Sequence, residues 1–230
     1  MATISENITR INQAKVDIKN AIIAKGGTVA AADKIDTYAQ AIEALSSEGD
    51  DETVKGIIDK SITKCNIPQG TTRIGQYTFS YCSSLTSVTI PDSVTHIGQS
   101  AFIGCTSLTS VTIPDSVTGI GNNAFSYCSG LTDIVIPDGV TIINYGVFRE
   151  CSGLTSVTIP DSVTSIGGDA FNGCSNLATI TVKATTPPTL GNNVIPSNVT
   201  AIYVPSGSVN AYKSASKWSN YASKIQAIQE

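Results

Sequence analysis

Five cysteines recur at a spacing of 23 residues, and they are the side chains of this sequence with the most reactive chemistry. The set consists of Cys82, Cys105, Cys128, Cys151 and Cys174. Stacked repeats would place them roughly 5 Å apart, a Cα separation that a disulfide tolerates. Free cysteine is nevertheless among the most buried residue types and packs as a small apolar side chain. We therefore expect reduced core cysteines, with a disulfide as the alternative, and the lack of a CxxC pair argues against a metal site.

Carboxylates form a second column at one position of the repeat. Its members are Asp92, Asp115, Asp138 and Asp161. Each follows a proline, a pair typical of a turn because proline presets φ and aspartate hydrogen-bonds to nearby backbone. At ~5 Å in water the repulsion between neighbours is only about 0.8 kcal/mol, so the column needs no ion. We predict turn residues here, with a weak calcium ladder as the alternative.

Groups able to perform catalysis are sparse. His96 is the single histidine, and the same position of other units holds Arg73, Gly119, Ile142 and Ser165. No serine elbow or glycine-rich phosphate loop accompanies it. We therefore predict a non-enzymatic protein without a cofactor.

The bulk composition argues against several classes of partner. The chain has 230 residues, a formal net charge of −4, and 14% charged against 41% hydrophobic residues. This balance gives no basic field for phosphate backbones, so we expect no nucleic-acid partner. No apolar stretch approaches about 18 residues, and no signal peptide is visible at the N-terminus, so we expect no membrane insertion.

The proline, phenylalanine and leucine residues around the cysteines and aspartates repeat with the same period of 23 residues. Pro68, Pro91, Pro114, Pro137 and Pro160 keep this step, as do Phe79, Phe102, Phe125, Phe148 and Phe171, and Leu85, Leu108, Leu131, Leu154 and Leu177. A fixed period of this length indicates a solenoid in which each unit stacks on the next. Within one unit, residues 111–113 and 117–120 alternate apolar and polar side chains and predict two short strands. The spacing of apolar residues in 123–131 predicts a helical or 3₁₀-like turn on the opposite wall.

The pattern LTSVTIPDSVTxIGxxAFxxCxxLTSV, found at residues 108–134 and with small changes at 154–180, resembles the BspA-type leucine-rich repeat. The resemblance covers about residues 54–182, from an opening half-repeat through five units. It implies an α/β repeat solenoid, a right-handed stack of 23-residue units with short strands. It also implies a setting on bacterial surfaces or phage particles, with adhesion or host recognition as the role. The segment 202–212, followed by Trp218, resembles the ending of such proteins. We expect residues 183–230 to form a C-terminal cap with an amphipathic helix, around 221–228.

Residues 1–45 depart from the repeat and predict an N-terminal helical hairpin. A capping box at Thr3 and Glu6 begins the first helix. An isoleucine stripe then follows, which also suits an oligomerising coiled coil: Ile4, Ile8, Ile11, Ile18 and Ile22. The segment resembles modules that precede repeat domains in prophage tail proteins. Residues 46–53 are acidic and polar, as in a linker.

Differences between units mark the exposed surface, because inward positions are held constant by packing. Exposed tyrosine among asparagine, serine and arginine is typical of recognition surfaces. The residues that we select as a ligand-binding surface are Arg73, Tyr77, Tyr81, His96, Tyr127, Tyr145 and Arg149. The alternative is that these positions only drift.

We predict a binding or adhesion module for a protein or glycan on a cell surface, with phage host recognition as its narrower form. The alternative from a different class is a structural spacer that forms a homo-oligomer through residues 1–45. Either function places the protein outside the cell, on a cell surface or on a virion.

Overall fold

The computed structural model of the protein describes residues 60–229. The predicted helical hairpin of residues 1–45, its isoleucine stripe and the linker 46–53 lie outside the described residues. Within 60–229 the predicted stack of repeats is confirmed as a β-solenoid of about seven turns of ~23 residues.

One side of each turn of the solenoid is formed by the strand that precedes the Pro-Asp turn. This first strand wall consists of β1 (Lys64–Asn66), β3 (Ser87–Thr89), β5 (Ser110–Val111), β7 (Asp133–Ile134), β9 (Ser156–Ile159), β11 (Thr179–Val182), β13 (Ala201–Val204) and β14 (Ile225–Ala227). The strands pair in parallel at equivalent repeat positions in the groups β1-β3, β5-β7 and β9-β11-β13-β14, as in Cys65 with Val88 and Ile180 with Val157. The predicted alternation is confirmed, because inward residues are buried and outward residues are exposed.

A second strand wall follows the Pro-Asp turn. It consists of β2 (Arg73–Ile74), β4 (His96–Ile97), β6 (Gly119–Ile120), β8 (Ile142–Ile143), β10 (Ser165–Ile166) and β12 (Thr189–Leu190). These strands also pair in parallel, in the groups β2-β4-β6 and β8-β10-β12. The turn between the walls is closed by hydrogen bonds such as Val117 N–H to Pro114 O at 3.0 Å. Asp115 is exposed in this turn, as the turn prediction requires.

The third side of the solenoid, which we call the turn wall, consists of residues 76–81, 99–104, 122–127, 145–150 and 168–173. Backbone N–H groups here donate to the next unit, for example Phe79 to Ala101 O and Phe102 to Ala124 O, both at 2.8 Å. Other bonds close three-residue turns, as from Cys82 N–H to Phe79 O at 3.1 Å. Some backbone N–H groups of the turn wall close three-residue turns and the others donate to the neighbouring unit. No continuous series of helical hydrogen bonds is therefore made, and no helix forms in the repeats of residues 60–182. The α/β expectation for the repeats is therefore wrong.

The core consists of continuous columns of identical side chains. All five phenylalanine side chains are fully buried. Their rings stack with centroid distances of 5.1, 5.2, 5.9 and 5.6 Å and interplanar angles of 12° or less. The leucines of the repeat are equally buried, so each unit covers the apolar face of its neighbour.

The C-terminal cap continues the solenoid rather than ending it at residue 182. Strand β12 pairs with β10, β13 pairs with β11, and β14 pairs with β13, so three further strands are added after that boundary. The helix α1 (Val209–Ser214) and a 3₁₀ helix (Trp218–Tyr221) then cover the end. The amphipathic helix expected around 221–228 is wrong, because Ile225–Ala227 forms β14, which pairs with β13. Parallel pairing at the open edge of the sheet outweighs a helical pattern of only a few residues.

Two buried aromatic residues anchor this cap. Tyr212 and Trp218 pack edge to face with their centroids 5.0 Å apart. The Tyr212 hydroxyl donates to Ala184 O at 2.8 Å, and the indole N–H of Trp218 donates to Pro188 O at 2.7 Å. Both polar ends are thereby satisfied, which lets the large rings be buried at the end of the core.

Candidate recognition surface

The turn wall brings together five of the seven residues selected from the sequence. They are Tyr77, Tyr81, Tyr127, Tyr145 and Arg149. Tyr81, Tyr127 and Tyr145 are exposed by 62, 43 and 45%, while Tyr77 and Arg149 are half-buried. This side of the solenoid therefore presents three large aromatic side chains to solvent.

Several of these tyrosines have an unusual backbone conformation. Tyr77, Tyr81 and Tyr127 have φ values of 59, 57 and 61°, in the left-handed region. Equivalent positions in the other units are left-handed as well, and they hold Gly104, Gly146 and Gly173 but also Ser100, Asn123, Glu150 and Asp169. A bulky residue with positive φ is uncommon, and here the repeated turn imposes this conformation in every unit. The tyrosines thus occupy positions where glycine would be easier to accommodate.

A tyrosine and a glycine fit together between neighbouring units. A Cβ atom on Gly104 would lie 2.5 Å from Cδ1 of the Tyr81 ring, so this ring lies directly over the glycine. Gly173 is similarly covered by the carboxylate of Glu150. Tyr81 and Glu150 are therefore each accommodated by a glycine in the following unit.

A polar cluster lies toward the C-terminal end of the turn wall. The Tyr145 hydroxyl donates to the Asp169 carboxylate at 2.7 Å. This hydrogen bond, together with the negative charge of Asp169, raises the pKa of Tyr145, and the same hydrogen bond lowers the pKa of Asp169. The Nε atom of Arg149 is buried and has no hydrogen-bond partner among residues 60–229.

Arg73 and His96 lie elsewhere, on the second strand wall. They are direct neighbours in β2 and β4, and both side chains are exposed. They line a shallow groove of about 350 Å³. The His96 ring lies over Gly119, because a Cβ there would be 2.8 Å from His96 Cδ2. The seven residues selected from the sequence therefore lie on two different walls of the solenoid. Variation between units predicts that a residue is exposed, but not which wall it lies on.

The cysteines pack in the core. All six are buried and free of disulfides. Four thiols donate to a phenylalanine carbonyl of the preceding unit at 3.1 Å, as from Cys105 to Phe79 and from Cys128 to Phe102. Burial raises the pKa of Cys174 to about 12 and raises those of Cys128 and Cys151. These thiols are therefore held in their unreactive neutral form.

The carboxylate column has no partners that would complete a cation site. Within the part of the chain that the structure describes, no group of three histidine, cysteine, aspartate or glutamate residues is placed to hold a metal ion. Nor does any helix in residues 60–229 have the length and apolar character needed to cross a bilayer.

A cleft that sequence reasoning missed lies where the last turn meets the cap. It has a volume of about 600 Å³ and is lined by Asn172, Asn192, Asn193, Lys217, Asn220 and Tyr221, among others. The sequence did hold one indication of this cleft. A step of 23 residues from Gly167 leads to position 190, but the equivalent glycine is Gly191, so one residue is inserted before the Gly191-Asn-Asn193 segment. Only the fold of the cap brings residues 217–221 against that run.

The stacked strands, turn wall and apolar columns define a leucine-rich repeat protein. The family model of the BspA type leucine-rich repeat region matches residues 58–178 in six copies. Because this match covers more than half of the chain, the chain belongs to that family.

Solved structures agree with this assignment. A leucine-rich repeat protein of T. pallidum is 31% identical with a TM-score of 0.50, over 61% of this chain and 73% of that one. A leucine-rich repeat protein of Eubacterium ventriosum is 25% identical with a TM-score of 0.50, over 68% of this chain and 45% of that one. The chain thus spans less than half of the second relative's length. No curated protein matches this sequence.

Proposed function

We propose that this protein is a non-enzymatic recognition module that binds a protein or glycan on a cell surface through the turn wall. The observation that carries the proposal is the placement of Tyr81 and Tyr127, which are exposed and left-handed in a column where two of the five units have glycine. Packing does not require a tyrosine at these positions, because Gly104 and Gly173 fill the same column. Tyrosine offers a large contact area with few rotatable bonds, which suits binding.

Family membership supports this role, since leucine-rich repeat proteins expose an extended repeat surface for binding. We place the module outside the cell, on a cell surface or a virion. The narrower hypothesis of host recognition by a phage depends on residues 1–45, whose resemblance to prophage tail modules motivates it.

The test uses the full chain with Tyr81→Gly and Tyr127→Gly together. Glycine adopts the left-handed conformation without strain, so the rings are removed while the fold is kept. The labelled protein is applied to a printed glycan array and to intact bacterial and epithelial cells. We expect binding by the wild type and at least tenfold weaker binding by the double variant.

Val135→Thr is the matched control. Val135 is 67% exposed on the first strand wall, where Thr112 and Thr158 hold the equivalent positions. This variant changes an exposed side chain away from the turn wall and should bind like the wild type. Equal binding by the double tyrosine variant, with an unchanged melting temperature, would refute the proposal.

The structural spacer is the competing function, favoured by the isoleucine stripe of residues 1–45. It predicts an oligomer that Ile8→Asp with Ile11→Asp converts to a monomer in sedimentation of the full chain. A wild-type monomer would eliminate this function.

A further inference from the structure

The cleft between the last turn and the cap is enclosed by groups from three segments of the chain. Asn172 comes from the turn wall, Asn192 and Asn193 from the segment after β12, and Asn220 from the 3₁₀ helix of the cap. Its volume of about 600 Å³ lies within the range typical of small-molecule sites. The cleft is therefore large enough for an organic ligand.

The lining is polar but nearly uncharged. Four asparagine amides line the cleft, and an amide carries both a carbonyl acceptor and an N–H₂ donor. Asn192 Oδ1 already accepts from Lys217, and Asn172 and Asn193 hydrogen-bond to Asp169 just outside the lining, so these three keep only their remaining groups for a ligand, while Asn220 is exposed. None of the lining residues is acidic. The single cation is Lys217, whose ammonium already donates to Gly191 O at 2.9 Å and to Asn192 Oδ1 at 3.0 Å. One ammonium N–H is left for a ligand, and the two protein oxygen atoms already partly offset the positive charge.

The cleft is held in shape before any ligand enters. Lys217 and Asn193 have φ values of 64 and 54°, left-handed conformations that the surrounding contacts must impose. The adjacent Trp218 is buried and hydrogen-bonded to Pro188 O, which fixes the cap segment. The Tyr221 hydroxyl lies 3.3 Å from Ile195 O as a donor, and this contact orients the ring along the cleft wall.

We propose that this cleft binds a neutral saccharide. Sugar hydroxyls both donate and accept hydrogen bonds, and they match asparagine amides, which do the same. The Tyr221 ring offers an apolar face for the C–H side of a sugar ring. An anionic ligand would find one cation that already donates to two oxygens, and an apolar ligand would cover the remaining amide groups without pairing them.

This inference goes beyond the proposed recognition function, because it places a ligand at a site separate from Tyr81 and Tyr127. The two can fail independently. Variants of the cleft test the saccharide site, and the tyrosine variants test the turn wall.

The experiment applies the full chain to a printed array of neutral, uronic-acid-containing and sialylated glycans. The strongest neutral glycan is then titrated by calorimetry against three variants. Lys217→Gly removes the ammonium at a position whose left-handed φ suits glycine, and Asn220→Ala removes one exposed amide. The control is Lys213→Ala, which removes an exposed lysine of α1 outside the cleft lining.

We expect binding to neutral glycans, at least tenfold weaker binding by Lys217→Gly and by Asn220→Ala, and unchanged binding by Lys213→Ala. Melting temperatures show that each variant is folded. The proposal is overturned if only acidic glycans bind, if no neutral glycan binds, or if both cleft variants bind like the wild type. If only the variant with Tyr81→Gly and Tyr127→Gly loses glycan binding, the glycan binds the turn wall and not the cleft.

Discussion

Phe79 and Tyr81 lie two residues apart on the turn wall, yet their columns behave in opposite ways. The phenylalanine column repeats one residue type in five units, buried and stacked. The tyrosine column alternates among Tyr81, Gly104, Tyr127, Glu150 and Gly173.

Both columns share the same backbone, since N–H groups at both positions donate to the next unit. The constancy of the inner column therefore comes from side-chain packing between units rather than from backbone geometry. The outer column is free to vary, and its tyrosines need another explanation.

The largest expected effect comes from breaking the inner column. Phe125→Ala removes a ring stacked between Phe102 and Phe148. We expect a loss of about 3–5 kcal/mol in the free energy of unfolding, because a cavity is left in a packed core. Urea denaturation measures it, with Tyr127→Ala as the neighbour for comparison. A loss as large for Tyr127→Ala would remove the distinction between the columns.

The next effect tests how closely the units approach. A Cβ on Gly121 would lie 2.5 Å from the backbone N of Gln99 in the preceding unit. We expect Gly121→Ala to destabilise the protein by about 1–3 kcal/mol, because backbone must shift to relieve the overlap. Gly207→Ala is the control, since no atom lies within 4 Å of its Cβ position. Equal melting temperatures for the two variants would contradict this close approach.

A smaller effect isolates the strain in the outer column. Tyr127→Gly and Tyr127→Ala both remove the ring, but alanine keeps a Cβ at a φ of 61°. We expect the glycine variant to be more stable than the alanine variant by about 1 kcal/mol. Chemical denaturation of the pair measures the difference. If alanine were the more stable, the left-handed conformation would not exist in solution.

The sequence predicted the columns better than the walls. The period of 23 placed the phenylalanines and cysteines in the core, because identical inward residues must stack. It did not predict that the turn wall lacks helices, since apolar residues about three apart are typical of both successive three-residue turns and helices. The separation of Arg73 and His96 from the tyrosines was missed for a related reason, because exposure does not identify a wall.

The cleft could not be predicted either. Residues 191–193 and 217–221 are far apart along the chain, and only the folded cap brings them together. The helix expected around 221–228 failed because pairing with β13 depends on an open sheet edge that no local pattern reveals.

The smallest effect concerns the polar cluster at the C-terminal end of the turn wall. The hydrogen bond from Tyr145 lowers the pKa of Asp169. A lowered folded-state pKa means that the contribution to stability is present above the unfolded pKa and is lost as pH falls through the folded one. We expect Tyr145→Phe to raise the Asp169 pKa toward its ordinary value, as carboxyl NMR titration would measure. Because both groups are exposed, the melting temperature should hardly change at neutral pH. An unaltered Asp169 titration would show that the Tyr145 hydroxyl points to solvent, where it is free to contact a ligand directly.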